Sequence, residues 1–120
     1  MKFRRPTLLL PALAVFAALL LMAQAKLPSD FPKDVPIYPG ATVRQAGATA
    51  KEMVILETPD PKEKALSFYK LELPKNGWKM EKPFSGSGDA LQGIKGDRMV
   101  SMGVVRQQKT LIQIGFLSLK

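Results

Sequence analysis

The chain predicts an α+β fold, an antiparallel sheet carrying one amphipathic helix, in the order β-β-α-β-β-β-β. Three observations point there. Residues 61–73 hold one helix-period apolar pattern; residues 90–117 hold two-residue alternation broken by short turns; and no repeat is visible in between.

The helix is the best signalled element. Asp60 suits the N-cap, since its carboxylate can accept hydrogen bonds from the free amides of the first turn; Pro61 then suits the first helical position and Glu63 the third. Ala65, Leu66, Tyr69 and Leu73 recur at three- and four-residue steps with Phe68 beside them, while Lys62, Lys64, Lys70 and Glu72 lie elsewhere, so one face is buried. Pro74 removes an amide, so the last turn is expected to kink or the helix to stop near Leu73. Asn76-Gly77 offers a left-handed exit into a strand that opens with Trp78, the single tryptophan.

Before the helix, residues 41–45 read as a short strand. Residues 52–58 read as its hairpin partner, whose unbroken run Met53-Val54-Ile55-Leu56 suggests a central strand covered on both faces. After it come 78–81, a glycine- and serine-rich loop over 84–88, strands 90–95 and 98–106 around a Gly96-Asp97 turn, and a last strand over 110–117. Ile112, Ile114 and Phe116 fall on one face. Gly93, Gly103 and Gly115 lie inside strands, where close packing explains them more simply than the floor of a ligand groove.

Residues 1–25 have the layout of a secretory signal peptide. Lys2, Arg4 and Arg5 precede an apolar run from Leu8 to Met22, and Ala23-Gln24-Ala25 forms a small-x-small cleavage site. That run falls short of the roughly 20 residues a membrane span needs and contains Pro11, which disfavours a retained anchor. The expected location is therefore periplasmic or secreted, with membrane contact only through the signal segment before cleavage. Cleavage leaves 95 residues, read as a proline-rich extended arm over 26–40 and a single α+β domain over 41–120. Phe31, Val35, Ile37 and Tyr38 are too apolar for a free linker, so part of the arm is expected to pack on the domain.

Composition excludes several chemistries. The chain has no cysteine, hence no disulfide framework and no lipidated cysteine, and no histidine, which removes the usual general base and metal ligand. Three of the 18 basic residues lie in the leader, leaving 15 against 10 acidic ones and a net charge of +5. These charges are scattered rather than striped, which argues against nucleic acid. Glu57 with Asp60 and Asp89 with Asp97 are the available carboxylate pairs, which a cap and turn residues explain more simply, and nothing in the spacing favours a dyad of Ser101 with Lys95. Asp30 and Asp34 supply too few oxygens for calcium. The glycine loops at 86–88 and 93–96 lack the spacing of a phosphate cradle. Trp78, Tyr38 and Tyr69 read as core aromatics rather than a binding platform, with Tyr38 the most exposed of the three.

The motifs VPIYPGA at 35–41 and Phe68-Tyr69, Leu73 and Gly77-Trp78 follow the patterns VPxYPGA and FYxxxLxxxGW. In this the chain resembles a set of small uncharacterised exported bacterial domains. The resemblance implies export and a compact α+β module, and it transfers no catalytic residue. The reading is thus of an exported, non-enzymatic domain that binds an envelope protein or polymer. Carriage of a small apolar ligand between helix and sheet is the alternative, and a carboxylate or Ser-Lys hydrolase a more distant one. No catalytic residue, cofactor or metal ligand is assigned. Phe31, Ile37, Tyr38 and Phe84 are the candidate partner-binding residues. N-terminal sequencing of the exported protein is expected to start at Lys26; an intact Met1 in the membrane fraction would instead establish an anchor.

Overall fold

The computed structural model describes residues 25–83 and 88–119. The elements are β1 (Thr42–Gln45), β2 (Val54–Thr58), α1 (Lys62–Lys75), β3 (Lys79–Glu81), β4 (Ala90–Lys95), β5 (Arg98–Arg106) and β6 (Thr110–Ser118). Together they make an α+β domain: one six-stranded sheet in the order β1-β2-β6-β5-β4-β3, every pairing antiparallel, with one helix among the described residues.

That order sets the helix's task. It leaves β2, second in the sheet, and must deliver the chain to β3 at the far edge, four inter-strand steps or about 19 Å away. The 14 residues of α1 rise about 21 Å, so the helix crosses the sheet and lies over β3 to β6. Ala65, Leu66, Tyr69 and Leu73 are its buried residues, as their spacing requires. They meet Val54, Leu56, Val100, Met102, Val104, Ile112 and Ile114, which the register places on one sheet face.

Three local expectations need correction. Pro61, not Asp60, holds the N-cap, and no side chain caps the helix, because the Asp60 carboxylate accepts a hydrogen bond from the Tyr38 hydroxyl at 2.6 Å. The helix also continues through Pro74 to Lys75. It ends there as Gly77 N–H donates to the Pro74 carbonyl and Trp78 N–H to that of Leu73, with Gly77 at φ +92° and Leu73 and Trp78 packed together in the core. Finally, β2 is an interior strand, paired with β1 and β6 as expected, but it is not covered on both faces, and its burial alternates. Met53 is 48 % exposed, Ile55 is half-buried, and β2 starts at Val54 because Glu52 lies in a turn, where its carboxylate accepts the Ala48 amide.

Among the described residues, no helix packs on the opposite sheet face. Ile55, Leu111, Val105, Met99 and Leu117 share it with Ser101, Gly103 and Gly115. Gly93 points the other way, where a Cβ would come within 3.2 Å of Trp78 Cβ; this close approach accounts for its lack of a side chain. The 96–97 turn joins β4 to β5 with Gly96 at φ +63°.

The arm carries three tight turns, the last of them the one expected at Pro39-Gly40. Phe31 N–H donates to the Pro28 carbonyl, Val35 N–H to Pro32 and Ala41 N–H to Tyr38, the last across Pro39-Gly40 with Gly40 at φ +79°, a type II turn. Prolines deny a sheet ladder its donors, and the Phe31, Val35 and Ala41 amides are satisfied within the arm instead.

Trp78 is 2 % exposed and its indole N–H donates to the Asp34 carbonyl at 2.8 Å. Trp78→Ala is expected to cost about 3–5 kcal/mol in urea denaturation. Trp78→Phe keeps most of the packing and loses the donor, for about 1–2 kcal/mol. Equal costs for the two would show that the hydrogen bond, not the ring, carries the stability.

Candidate functional site

Two hydrogen-bonded junctions fasten residues 34–38 of the arm to the domain. At the first, the Trp78 indole holds the Asp34 carbonyl while the Asp34 carboxylate accepts from Lys95 Nζ at 2.9 Å and from the Arg98 guanidinium, whose carbon lies 5.1 Å from the Trp78 ring centroid. Partial burial pushes the Asp34 carboxyl upward, but the hydrogen bonds and charges of Arg98 and Lys95 outweigh it, and the net shift is downward. At the second, the buried Tyr38 amide donates to the Tyr69 hydroxyl at 3.0 Å. Burial, then the bond to Asp60, push the Tyr38 hydroxyl up to about 12; burial likewise raises that of Tyr69.

Fastened this way, the arm walls two clefts. On the helix side a cleft of about 420 Å³ is lined by Tyr38, Pro39, Asp60, Lys64, Ser67, Phe68 and Leu71. Lys64, Ser67, Phe68 and Leu71 recur at three- and four-residue steps, so they form a second stripe beside the one that faces the sheet. Phe68 stands edge-on to Tyr38, with centroids 5.3 Å apart, and to Tyr69 at 4.9 Å; Leu71 is 64 % exposed. The wall is therefore apolar and rigid, with the Tyr38–Asp60 pair and Lys64 as its polar groups. At the far end of the sheet a slot of about 200 Å³ lies among Asp30, Pro32, Ala50, Lys51, Arg98, Phe116, Leu117 and Ser118. A larger concavity of about 540 Å³ is lined by Arg44, Glu57, Gln107, Gln108 and Lys109, all polar or charged residues.

The candidate partner-binding residues are used in different ways. Phe31 packs edge-on against Phe116 with centroids 5.5 Å apart, Ile37 is half-buried against the core, and Tyr38 is 4 % exposed, which corrects its expected prominence. Phe84 lies outside the described residues, as does most of the 84–88 loop. Trp78 and Tyr69 are core residues, as expected, and the clefts described above lie away from them rather than beneath them.

The hydrolase pairs do not assemble. Glu57 faces Arg44 and Lys109, Asp60 is bonded to Tyr38, and Asp89 bridges Lys62 at 3.0 Å. Ser101 points to the outer sheet face while Lys95 lies opposite Arg98 on the inner one. Asp30 accepts the Ala50 amide at 2.8 Å, and no acidic cluster able to hold a metal ion occurs among the described residues. The Asp34 cluster escaped sequence reasoning, although its signal is present. Lys95 and Arg98 flank a two-residue turn, which sets two cations side by side on one face and demands a carboxylate from elsewhere.

Residues 40–110 match a family model described as START domain-like. No curated protein and no solved structure matches the chain.

The lowered Asp34 value fixes the sign of a pH effect. Its stabilising contribution is complete above the ordinary carboxyl value of 3.8 and is lost as pH falls through the lower folded-state value. Asp34→Asn is expected to cost about 1–2 kcal/mol at neutral pH, an amount reduced by the partial exposure of Lys95 and Arg98. The gap from the unsubstituted protein is expected to close below pH 3.8, as read by urea denaturation across pH. A gap independent of pH would show that the carboxylate's charge is not what matters.

Proposed function

The chain belongs to the START domain-like family, and from that premise we propose that it is a non-enzymatic domain that binds a small apolar ligand. Members of the family are typically ligand binders, which favours this reading over attachment to an envelope polymer. The observation that carries it is the helix-side cleft. Its volume falls in the range of small-molecule sites, and Phe68, Leu71, Tyr38 and Pro39 give it an apolar wall with few polar groups. Tyr38, Asp60 and Lys64 would orient the polar end of such a ligand.

The chain's chemistry supports binding rather than turnover. It has no histidine or cysteine, and Asp34, Glu57, Asp60 and Asp89 are already paired with neighbours. The ligand seat proposed here is at the helix–arm junction, not between helix and sheet, where Tyr69 and Leu73 are fully packed. The signal-like leader and the motif resemblance support export, so the ligand would be met in the periplasm or outside the cell.

Leu71 is the residue to change, because its exposure lets the fold tolerate a charge. Titration of decan-1-ol by NMR is expected to shift Tyr38, Phe68 and Leu71 signals saturably. Leu71→Glu is expected to weaken binding about tenfold or more with the melting temperature kept. Saturable binding unaffected by Leu71→Glu would place the ligand elsewhere.

A further inference from the structure

We propose that the sheet face opposite the helix is where two copies of this chain pair, face to face about a two-fold axis that crosses the strands between Met99 and Ser101.

This face is the apolar one that the fold leaves open. Five large apolar side chains are exposed among the described residues, and four of them, Met53, Val105, Leu117 and Leu119, belong to it. Leu119 follows Leu117 by the two-residue step of a strand, and its amide still donates to the Asp97 carbonyl beside β6.

The strand registers divide the face into rows. Lys79, Ile94, Met99 and Leu117 stand across from one another in one row, and Glu81, Gln92, Ser101 and Gly115 stand in the next, about 7 Å along the strands. The first row is a ridge. The second is low at Ser101 and Gly115. Nothing within the chain requires that low ground: a Cβ on Gly115 would meet nothing nearer than the Ser101 carbonyl at 4.0 Å, and one on Gly103 nothing nearer than Gln113 Oε1 at 3.7 Å. Neither glycine has a positive φ. Glycine weakens a strand, so with no internal use the close approach it permits is to another molecule.

A second copy fits because adjacent rows complement each other. A two-fold axis between them lays each strand over its own counterpart, within the roughly 30° that sheet twist imposes, and exchanges the rows. The Met99–Leu117 ridge of one copy then enters the Ser101–Gly115 hollow of the other, and the reverse contact forms at the same time. The same operation sets Lys79 over the partner's Glu81. Among the described residues neither of these two side chains has an ion-pair partner within the chain. They stand at the edge of rows that are otherwise uncharged, as charges stand at the rim of an interface.

The area is sufficient for a reversible dimer. Five strands from β2 to β3 span about 24 Å, and β5 runs about 20 Å from Met99 to Val105, so two copies together hide about 1,000 Å² before side-chain relief is counted. That reaches the lower limit for a specific interface.

The test is sedimentation velocity over a concentration series, on protein recovered from cells expressing the full chain. A reversible monomer–dimer equilibrium in the micromolar range is expected. Gly115→Val has room within the chain but fills the hollow, and is expected to raise the dimer Kd about tenfold while the melting temperature of the dilute monomer is kept. Lys79→Glu alone is expected to raise the Kd about fivefold. Lys79→Glu combined with Glu81→Lys is expected to return it to within about twofold of the original, because this axis pairs the two positions across the interface. A chain that stays monomeric to millimolar concentration, a dimer indifferent to Gly115→Val, or a double exchange that fails to rescue would each overturn the proposal. Failure of decan-1-ol to bind the helix-side cleft would leave it standing.

Discussion

The structure depends on the junction at Asp34, where one residue serves the sheet twice. Its carbonyl accepts the Trp78 indole, and its carboxylate answers two cations that the 96–97 turn sets side by side. The pairing is only partly exposed to water, with the Asp34 side chain 21 % accessible, so its hydrogen bonds are worth more than those of a surface ion pair. Without it Lys95 and Arg98 would face each other across β4 and β5 with no carboxylate between them. Trp78 is also the residue that closes the C-terminal cap of α1. Helix end, sheet edge and arm thus meet at one ring.

The clefts follow from that junction. An arm with Pro28, Val35 and Tyr38 buried is part of the core, and what it offers to other molecules is its flanks. The helix-side flank is apolar because a second stripe of α1 lines it. The sheet-side flank joins an apolar floor of Phe116 and Leu117 to a rim of mixed charge, Asp30 with Lys51 and Arg98.

Much of this fold was legible in the sequence because periodicity reports burial. The apolar stripe of α1, the alternation in β4 to β6 and the Asn76-Gly77 exit each stand where their residues require. The departures have physical causes. Asp60 looked like a cap because only local partners are visible in sequence, whereas the Tyr38 hydroxyl reaches it from 22 residues away. β2 is interior, as its run suggested, but it looked covered on both faces because Met53 and Ile55 on its outer side are apolar yet exposed or half-buried, a condition periodicity cannot separate from double burial. The arm looked extended because its prolines exclude regular structure, and successive turns satisfy the same constraint. The motif residues Val35, Tyr38, Tyr69, Leu73 and Trp78 are all in the core, so their pattern encodes how arm and helix join. The clefts were the least legible part, since their lining comes from segments whose proximity exists only once that junction has formed.

The central claim is that the arm is a structural wall and not a free binding segment. Native-state hydrogen exchange at the Tyr38 amide and the Trp78 indole N–H tests it most directly, because both donate to partners across the junction. Exchange of both only at the free energy of global unfolding, in step with the central amides of β5 and β6, is the predicted result. Fast exchange of these two groups beneath a protected sheet would show that the arm detaches on its own, and would contradict the account.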